Sequence, residues 1–117
     1  MNLDDQNNLS WPEFERVEMR IGTIVAANDF PEARKPAYQL TIDFGKEIGV
    51  LKSSAQITKR YQKMELIGRQ IVAVVNFPKK QIGKFMSECL VLGAVGKEGD
   101  VILLSADFKV ENGLRIG

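Results

Sequence analysis

Apolar and polar residues alternate along two stretches in the first half of the chain, and this pattern constrains the fold more than any other feature. Residues 17–21 alternate between apolar and charged side chains, and residues 38–44 repeat the alternation with polar partners. A period of two is typical of strands with one buried face. The first run slips in register at Gly22 and then resumes. A glycine at such a slip predicts a β-bulge, through which a long strand can bend around a small barrel.

The rest of the chain predicts further strands and one helix. Between residues 54 and 68 the apolar side chains change to helical spacing, with Ser54 as the predicted N-cap and Gly68 as the predicted stop. The other apolar runs predict strands at residues 48–54, 71–75, 90–95 and 101–104.

Three strands, one helix and then two strands is the order of the OB-fold, a five-stranded Greek-key barrel. We therefore predict a mainly β protein with one such barrel, a helix between strands 3 and 4, and N- and C-terminal extensions. The length of 117 residues suits one domain. We place the N-terminal extension at residues 1–13 and the barrel domain with its C-terminal extension at residues 14–117.

Two loops of this predicted barrel carry unusual side chains. OB-folds usually bind ligands between the loop that joins strands 1 and 2 and the loop that joins strands 4 and 5. The first loop, residues 28–37, combines Phe30 with Arg34 and Lys35. The second loop, residues 76–87, carries three lysines and two phenylalanines: Lys79, Lys80, Lys84, Phe77 and Phe85. Cations suit phosphate or carboxylate groups, and aromatic faces suit bases or apolar side chains. We expect Arg34 and Lys80 to meet at the same mouth of the barrel.

Charge is distributed unevenly along the chain. The formal net charge is only +1, but basic residues concentrate between positions 52 and 84, where Glu65 is the only acidic residue. Local charge of this kind can attract polyanions even when the total charge is close to zero. For any single lysine, a solvated surface position remains the simpler interpretation.

The composition argues against catalysis and metal binding. The chain has no histidine, the commonest general base and metal ligand near neutral pH. Its single cysteine, Cys89, cannot form an internal disulfide, and its apolar neighbours predict a buried, unreactive thiol. We therefore expect a binding protein rather than an enzyme, with no catalytic residue, metal site or cofactor.

The sequence also lacks the features of a membrane or secreted protein. No apolar run approaches the roughly 18 residues that a membrane-spanning helix needs. The first residues are acidic and rich in amides, unlike the basic start and apolar middle of a signal peptide. We expect a cytoplasmic protein without membrane insertion.

Several long strings resemble the CsaA family, in the order that the family has them. They are FERVEMRIGTI at residues 14–24, FPEARKPAY at 30–38, SSAQITKRY at 53–61, VVNFP at 74–78 and FMSECLVLG at 85–93. The resemblance covers about residues 14–117. CsaA proteins are OB-fold homodimers, described as chaperones linked to protein export, within the superfamily of tRNA-binding domains. A Ser-Glu/Gln-Gly-Met string of those domains corresponds here to residues 87–90, with the glycine and methionine replaced by Cys89 and Leu90.

The resemblance implies a homodimer with two ligands, unfolded preprotein and tRNA. We predict a CsaA-like chaperone that binds unfolded polypeptides for export, and we keep a tRNA-binding protein with the same loops as the alternative. The predicted tRNA contacts are Lys52, Lys79, Lys80, Lys84 and Ser87. The predicted peptide contacts are Phe30, Pro31, Arg34, Lys35, Asn76, Phe77, Pro78 and Phe85.

Three of these assignments have alternatives. Phe77 and Phe85 could instead turn inward and close the end of the barrel. Asn76 could face a ligand or form a turn with equal probability. The acidic N-terminal stretch could cover an edge of the partner subunit, a hypothesis based on the need of Trp11 and Phe14 for burial.

Overall fold

The computed structural model describes residues 7–117, so the first six residues of the predicted N-terminal extension lie outside the described residues. The helices are α1 (Trp11–Glu15) and α2 (Lys63–Leu66), and the strands are β1 (Met19–Asp29), β2 (Tyr38–Asp43), β3 (Val50–Ala55), β4 (Gln70–Val74), β5 (Lys80–Ile82), β6 (Phe85–Ser87), β7 (Leu90–Val91), β8 (Gly93–Val95) and β9 (Val101–Leu103). Neither helix in this part of the chain is long and apolar enough to span a membrane.

Five antiparallel strands form the predicted barrel. Their order in the sheet is β3-β2-β1-β4-β7, and the hairpins β5–β6 and β8–β9 are additions to it. The two edges of this sheet approach each other where β3 meets the segment before β7. There the amide of Glu88 donates to the carbonyl of Lys52 at 2.7 Å, and the amide of Lys52 donates to the Glu88 carboxylate at 3.0 Å. The predicted OB-fold, mainly β with a helix between strands 3 and 4, is confirmed.

The predicted bulge at Gly22 is wrong. The register of β1 against β2 shifts between Ile24 and Ala26, whereas Gly22 pairs regularly with Ile71 in β4. Glycine is needed at position 22 for space, because a Cβ atom there would lie 2.7 Å from side-chain atoms of Phe44 inside the barrel.

The predicted helix between residues 54 and 68 is much shorter in the structure, and Ser54 lies in β3 rather than at an N-cap. Ile57 and Tyr61 are buried in the core, and the Tyr61 hydroxyl accepts the amide of Leu103 at 3.0 Å. These tertiary contacts hold the start of the segment in a turn. The predicted stop is confirmed, since Gly68 has a φ of 87°, which suits glycine.

The predicted strand at residues 90–95 is divided into two. β7 pairs with β4 in the barrel, and β8 leaves to pair with β9. A Cβ atom at Gly93, the first residue of β8, would lie 2.5 Å from the side chain of Val101 in β9. Glycine at this position therefore allows the two strands to approach each other closely.

The C-terminal segment of the chain covers the first half of β1. Ile21 exchanges backbone hydrogen bonds with Gly113 and Leu114, and the amide of Ile116 donates to Met19 at 2.9 Å. This segment is the C-terminal extension. At the other end, Ser10 caps α1, so Pro12 lies in the first turn of a helix.

The core lies inside the barrel. It contains Ile24, Leu40, Ile42, Phe44, Leu66 and Ile71, all fully buried, together with Cys89. Cys89 is 6% exposed, which confirms the prediction of a buried cysteine, and this burial raises the pKa of its thiol to about 12.

Candidate ligand-binding surface

The segment between β4 and β7 projects as a β-hairpin. β5 and β6 pair from Lys80 opposite Ser87 to Ile82 opposite Phe85, which leaves a two-residue turn of Gly83 and Lys84. Gly83 has a φ of 59°, a conformation that glycine adopts freely and that tight hairpin turns require. The hairpin therefore places the backbone of Lys80 and Lys84 at defined positions beside the barrel.

An aromatic contact joins this hairpin to the loop between β1 and β2. The rings of Phe30 and Phe85 lie 5.2 Å apart at an interplanar angle of 57°, a favourable tilted arrangement. Phe30 is buried, with 5% of its surface exposed, and Phe85 is partly buried. Phe77 points outward instead and is 55% exposed. Each of these two phenylalanines, Phe77 and Phe85, could either contact a ligand or turn inward. In the structure Phe85 packs inward, and Phe77 remains exposed to a ligand.

Two neighbouring cavities lie along this junction. The apolar cavity, of about 420 Å³, is lined by Phe77, Pro78, Lys79, Lys80, Ser87, Cys89 and Leu90. The basic cavity, also of about 420 Å³, is lined by Ala33, Arg34, Lys35, Ala37, Ser54, Gln56, Lys80, Gln81 and Ile82. Arg34 and Lys80 share the basic cavity, as expected from the fold, and Lys80 also lines the apolar cavity.

The cations around these cavities differ in their availability. The Lys79 ammonium lies 3.4 Å from the Glu88 carboxylate, so its charge is partly compensated. In the region that the structure describes, no ion pair involves the exposed side chains of the other five: Arg34, Lys35, Lys52, Lys80 and Lys84. Three of these unpaired cations, Arg34, Lys35 and Lys80, line the basic cavity, whereas Lys52 on β3 and Lys84 at the hairpin turn line neither cavity.

Ser87 and Asn76 both have hydrogen-bond partners within the fold. The Ser87 hydroxyl oxygen accepts the amide of Ser54 at 3.1 Å, and its hydrogen remains available to a ligand. The Asn76 side chain accepts the amide of Glu18 at 3.0 Å and donates to the carbonyl of Arg16 at 2.6 Å. Asn76 thus fixes the entry to β1, and its predicted contact with peptide is not needed to explain its position.

The two predicted prolines differ in their relation to the cavities. Pro78 lines the apolar cavity, and Pro31 is exposed in the loop that follows Phe30. Sequence reasoning missed several neutral lining residues, among them Gln56, Gln81 and Leu90. These side chains carry no charge or aromatic ring that would have distinguished them from ordinary surface or strand residues.

A model of the tRNA-binding domain family matches residues 19–115. Among solved structures, the chaperone CsaA of Bacillus anthracis is 52% identical, with a TM-score of 0.89 over 94% of this chain and 99% of that one. The CsaA chaperone of Picrophilus torridus is 49% identical, with a TM-score of 0.88 over 94% of this chain and 100% of that one. The chain belongs to the CsaA family, within the tRNA-binding domain family.

Larger proteins contain a similar domain. The methionine–tRNA ligase of Acidithiobacillus ferrooxidans is 36% identical over 104 residues, which are 89% of this chain and 15% of the ligase. The chain therefore spans about 15% of the length of this curated relative. The likeness concerns one domain of the ligase.

Proposed function

We propose that this CsaA-family protein is a cytoplasmic chaperone that binds unfolded segments of preproteins before export, without catalysing a reaction. The observation that supports this most is the apolar cavity, because the half-exposed Phe77 and Leu90 border a space large enough for an apolar side chain. Apolar patches with a charged rim are the ordinary form of protein-binding sites.

Within this proposal the two cavities have different tasks. An apolar side chain of the client would enter beside Phe77, Pro78 and Leu90. Backbone carbonyls or acidic side chains of the same segment would then reach Lys80, Arg34 and Lys35 in the basic cavity. Because Lys80 borders both spaces, one extended segment can contact both.

Binding of tRNA by the same surface is the second candidate. The five unpaired cations favour it, and so does the match to the tRNA-binding domain family. Lys52, Lys80 and Lys84 would meet phosphate groups, with Lys79 joining them at the expense of its contact with Glu88. Each phosphate contact would add about 0.7–0.9 to the slope of log affinity against log salt concentration.

We further propose that the protein acts as a homodimer. Several large apolar side chains are exposed in the single chain, including Trp11 at 79% and Val95 at 81%. Two copies would place two ligand surfaces on one particle, and avidity for a long ligand can then exceed the affinity of one site by about 10²–10⁴. Sedimentation of the purified protein tests this part directly.

Titrations with two probes test the main proposal. Bulk tRNA and a permanently unfolded preprotein would be titrated at several salt concentrations against the wild type, F77A and the triple variant K79A/K80A/K84A. The double variant K46A/K109A, which removes positive charge away from the cavities of this surface, is the control for a general effect of lost charge. We expect F77A to weaken preprotein binding and the hairpin triple variant to weaken tRNA binding. Wild-type protein that binds neither probe would refute both functions.

A further inference from the structure

The surface of the two cavities continues toward the β8–β9 hairpin. A third cavity, of about 300 Å³, extends from Lys35 and Gln56, which it shares with the basic cavity, to Lys59 and Glu98. A long ligand that leaves the basic cavity in this direction would therefore reach Lys59 next.

Lys59 is already held by the loop of this hairpin. Its ammonium donates to the carbonyl of Glu98 at 2.9 Å and lies 3.8 Å from the Glu98 carboxylate. The neighbouring Arg60 donates twice to the Asp100 carboxylate, at 2.8 and 2.7 Å, and these bonds lower the pKa of Asp100. The cations at this end of the surface thus face acidic groups, in contrast to the unpaired cations around the basic cavity.

The backbone at Glu98 does not explain why a glutamate stands there. Glu98 has φ 55° and ψ 38°, and it is the one non-glycine residue with a positive φ among residues 7–117. Glycine or asparagine fits this left-handed conformation better than glutamate does. Its side chain is 89% exposed, so packing does not require it either. What glutamate adds at this position is a carboxylate beside Lys59.

We propose that Glu98 determines ligand class by disfavouring nucleic acid at this surface. Its carboxylate lies where a phosphate group would approach Lys59 and compensates the charge of that ammonium, so a phosphate chain that runs on from the basic cavity meets no free cation there. Binding of an uncharged polypeptide segment does not depend on this cation. The proposal deepens the proposed function and rests on it, because it assumes that ligands occupy the surface that the cavities define.

The test compares E98Q with E47Q. Both variants lose one negative charge, but Glu47 lies in the β2–β3 turn, at the opposite end of this hairpin from the ligand loops. Bulk tRNA and a fluorescent peptide of zero net charge with one leucine would be titrated against each variant. We expect E98Q to bind tRNA about four- to sixfold more tightly than E47Q near 0.15 M salt, from one additional phosphate contact. Peptide affinity should remain the same in both.

A second pair of variants shows whether the effect passes through Lys59. In a K59A background the E98Q change should improve tRNA binding by less than twofold, because the released cation is missing. If E98Q and E47Q bind tRNA equally, or if the gain persists with K59A, the role of Glu98 is refuted while the proposed function stands. Failure of the wild type and of E98Q to bind either probe refutes the proposed function itself.

Discussion

The contact between Phe30 and Phe85 joins the two ligand loops, and replacing Phe30 with alanine should weaken this junction. Phe30 is 5% exposed, and its ring lies 5.2 Å from the ring of Phe85. Phe77 lies on the same surface but is 55% exposed. The same substitution at positions 30 and 77 therefore separates a structural aromatic residue from one that is free to contact ligand.

The two substitutions should differ strongly in their effect on stability. Truncation of a buried phenylalanine lowers the free energy of unfolding by about 3–5 kcal/mol, through lost apolar contact and the remaining cavity. Of this, the aromatic pair contributes about 0.5–1.5 kcal/mol. At roughly 4 °C per kcal/mol for a domain of this size, the Tm of F30A should fall by about 12–20 °C. Replacing the half-exposed Phe77 with alanine should change the free energy of unfolding by less than about 1 kcal/mol.

Urea denaturation followed by far-UV circular dichroism measures this difference. Trp11 is 79% exposed and lies before the barrel, so its fluorescence would report poorly on barrel unfolding. We expect F77A to unfold at the same urea concentration as the wild type and to bind an apolar peptide more weakly than the wild type does. F30L serves as the milder variant, with a loss below about 1.5 kcal/mol. If F30A and F77A unfold at the same urea concentration, the junction does not stabilise the fold as argued.

Substitutions at three other positions test individual contacts of the barrel. Gly22→Ala should lower the free energy of unfolding by about 1–3 kcal/mol, because its Cβ would overlap the side chain of Phe44; equal urea midpoints would contradict this. Asn76→Ala should cost about 1–2 kcal/mol in the same assay, and Asn76→Asp should cost at least as much, because its second carboxylate oxygen would face the carbonyl of Arg16 without donating to it; an unchanged urea midpoint for both would contradict the role of Asn76. Stability should fall as the pH rises above about 8.5, since the unfolded Cys89 thiol ionises there while the folded thiol keeps its proton until about pH 12. Cys89→Ala should remove this component of the pH dependence, and an unchanged profile would show that other groups cause it.

Much of the barrel could be predicted because the order of apolar and polar residues along a strand shows which of its faces is buried. Alternation along residues 38–44 marks one buried face, and the structure buries Leu40, Ile42 and Phe44 on it. The continuous apolar run at residues 71–75 likewise predicts a strand buried on both faces, which is β4. Once the order of elements is known, the OB-fold places the two unusual loops together.

Other features could not be predicted because they depend on contacts between distant residues. The helical spacing between residues 54 and 68 gives only a short helix, since Ile57 and Tyr61 pack into the core. The division of residues 90–95 depends on pairing with β4 and β9. Local pattern is a weak guide when tertiary packing determines the conformation.

The sequence by itself determined which segments are strands, that the domain is an OB-fold barrel, and that cations and aromatic residues gather in two of its loops. These properties follow from local alternation and composition. Only the tertiary structure decided which of these side chains are available, because Phe30 packs against Phe85, and Lys59 meets Glu98, only after distant parts of the chain have come together. An ion pair between residues far apart along the chain leaves no local pattern, so the free and the compensated lysines look alike until the chain has folded.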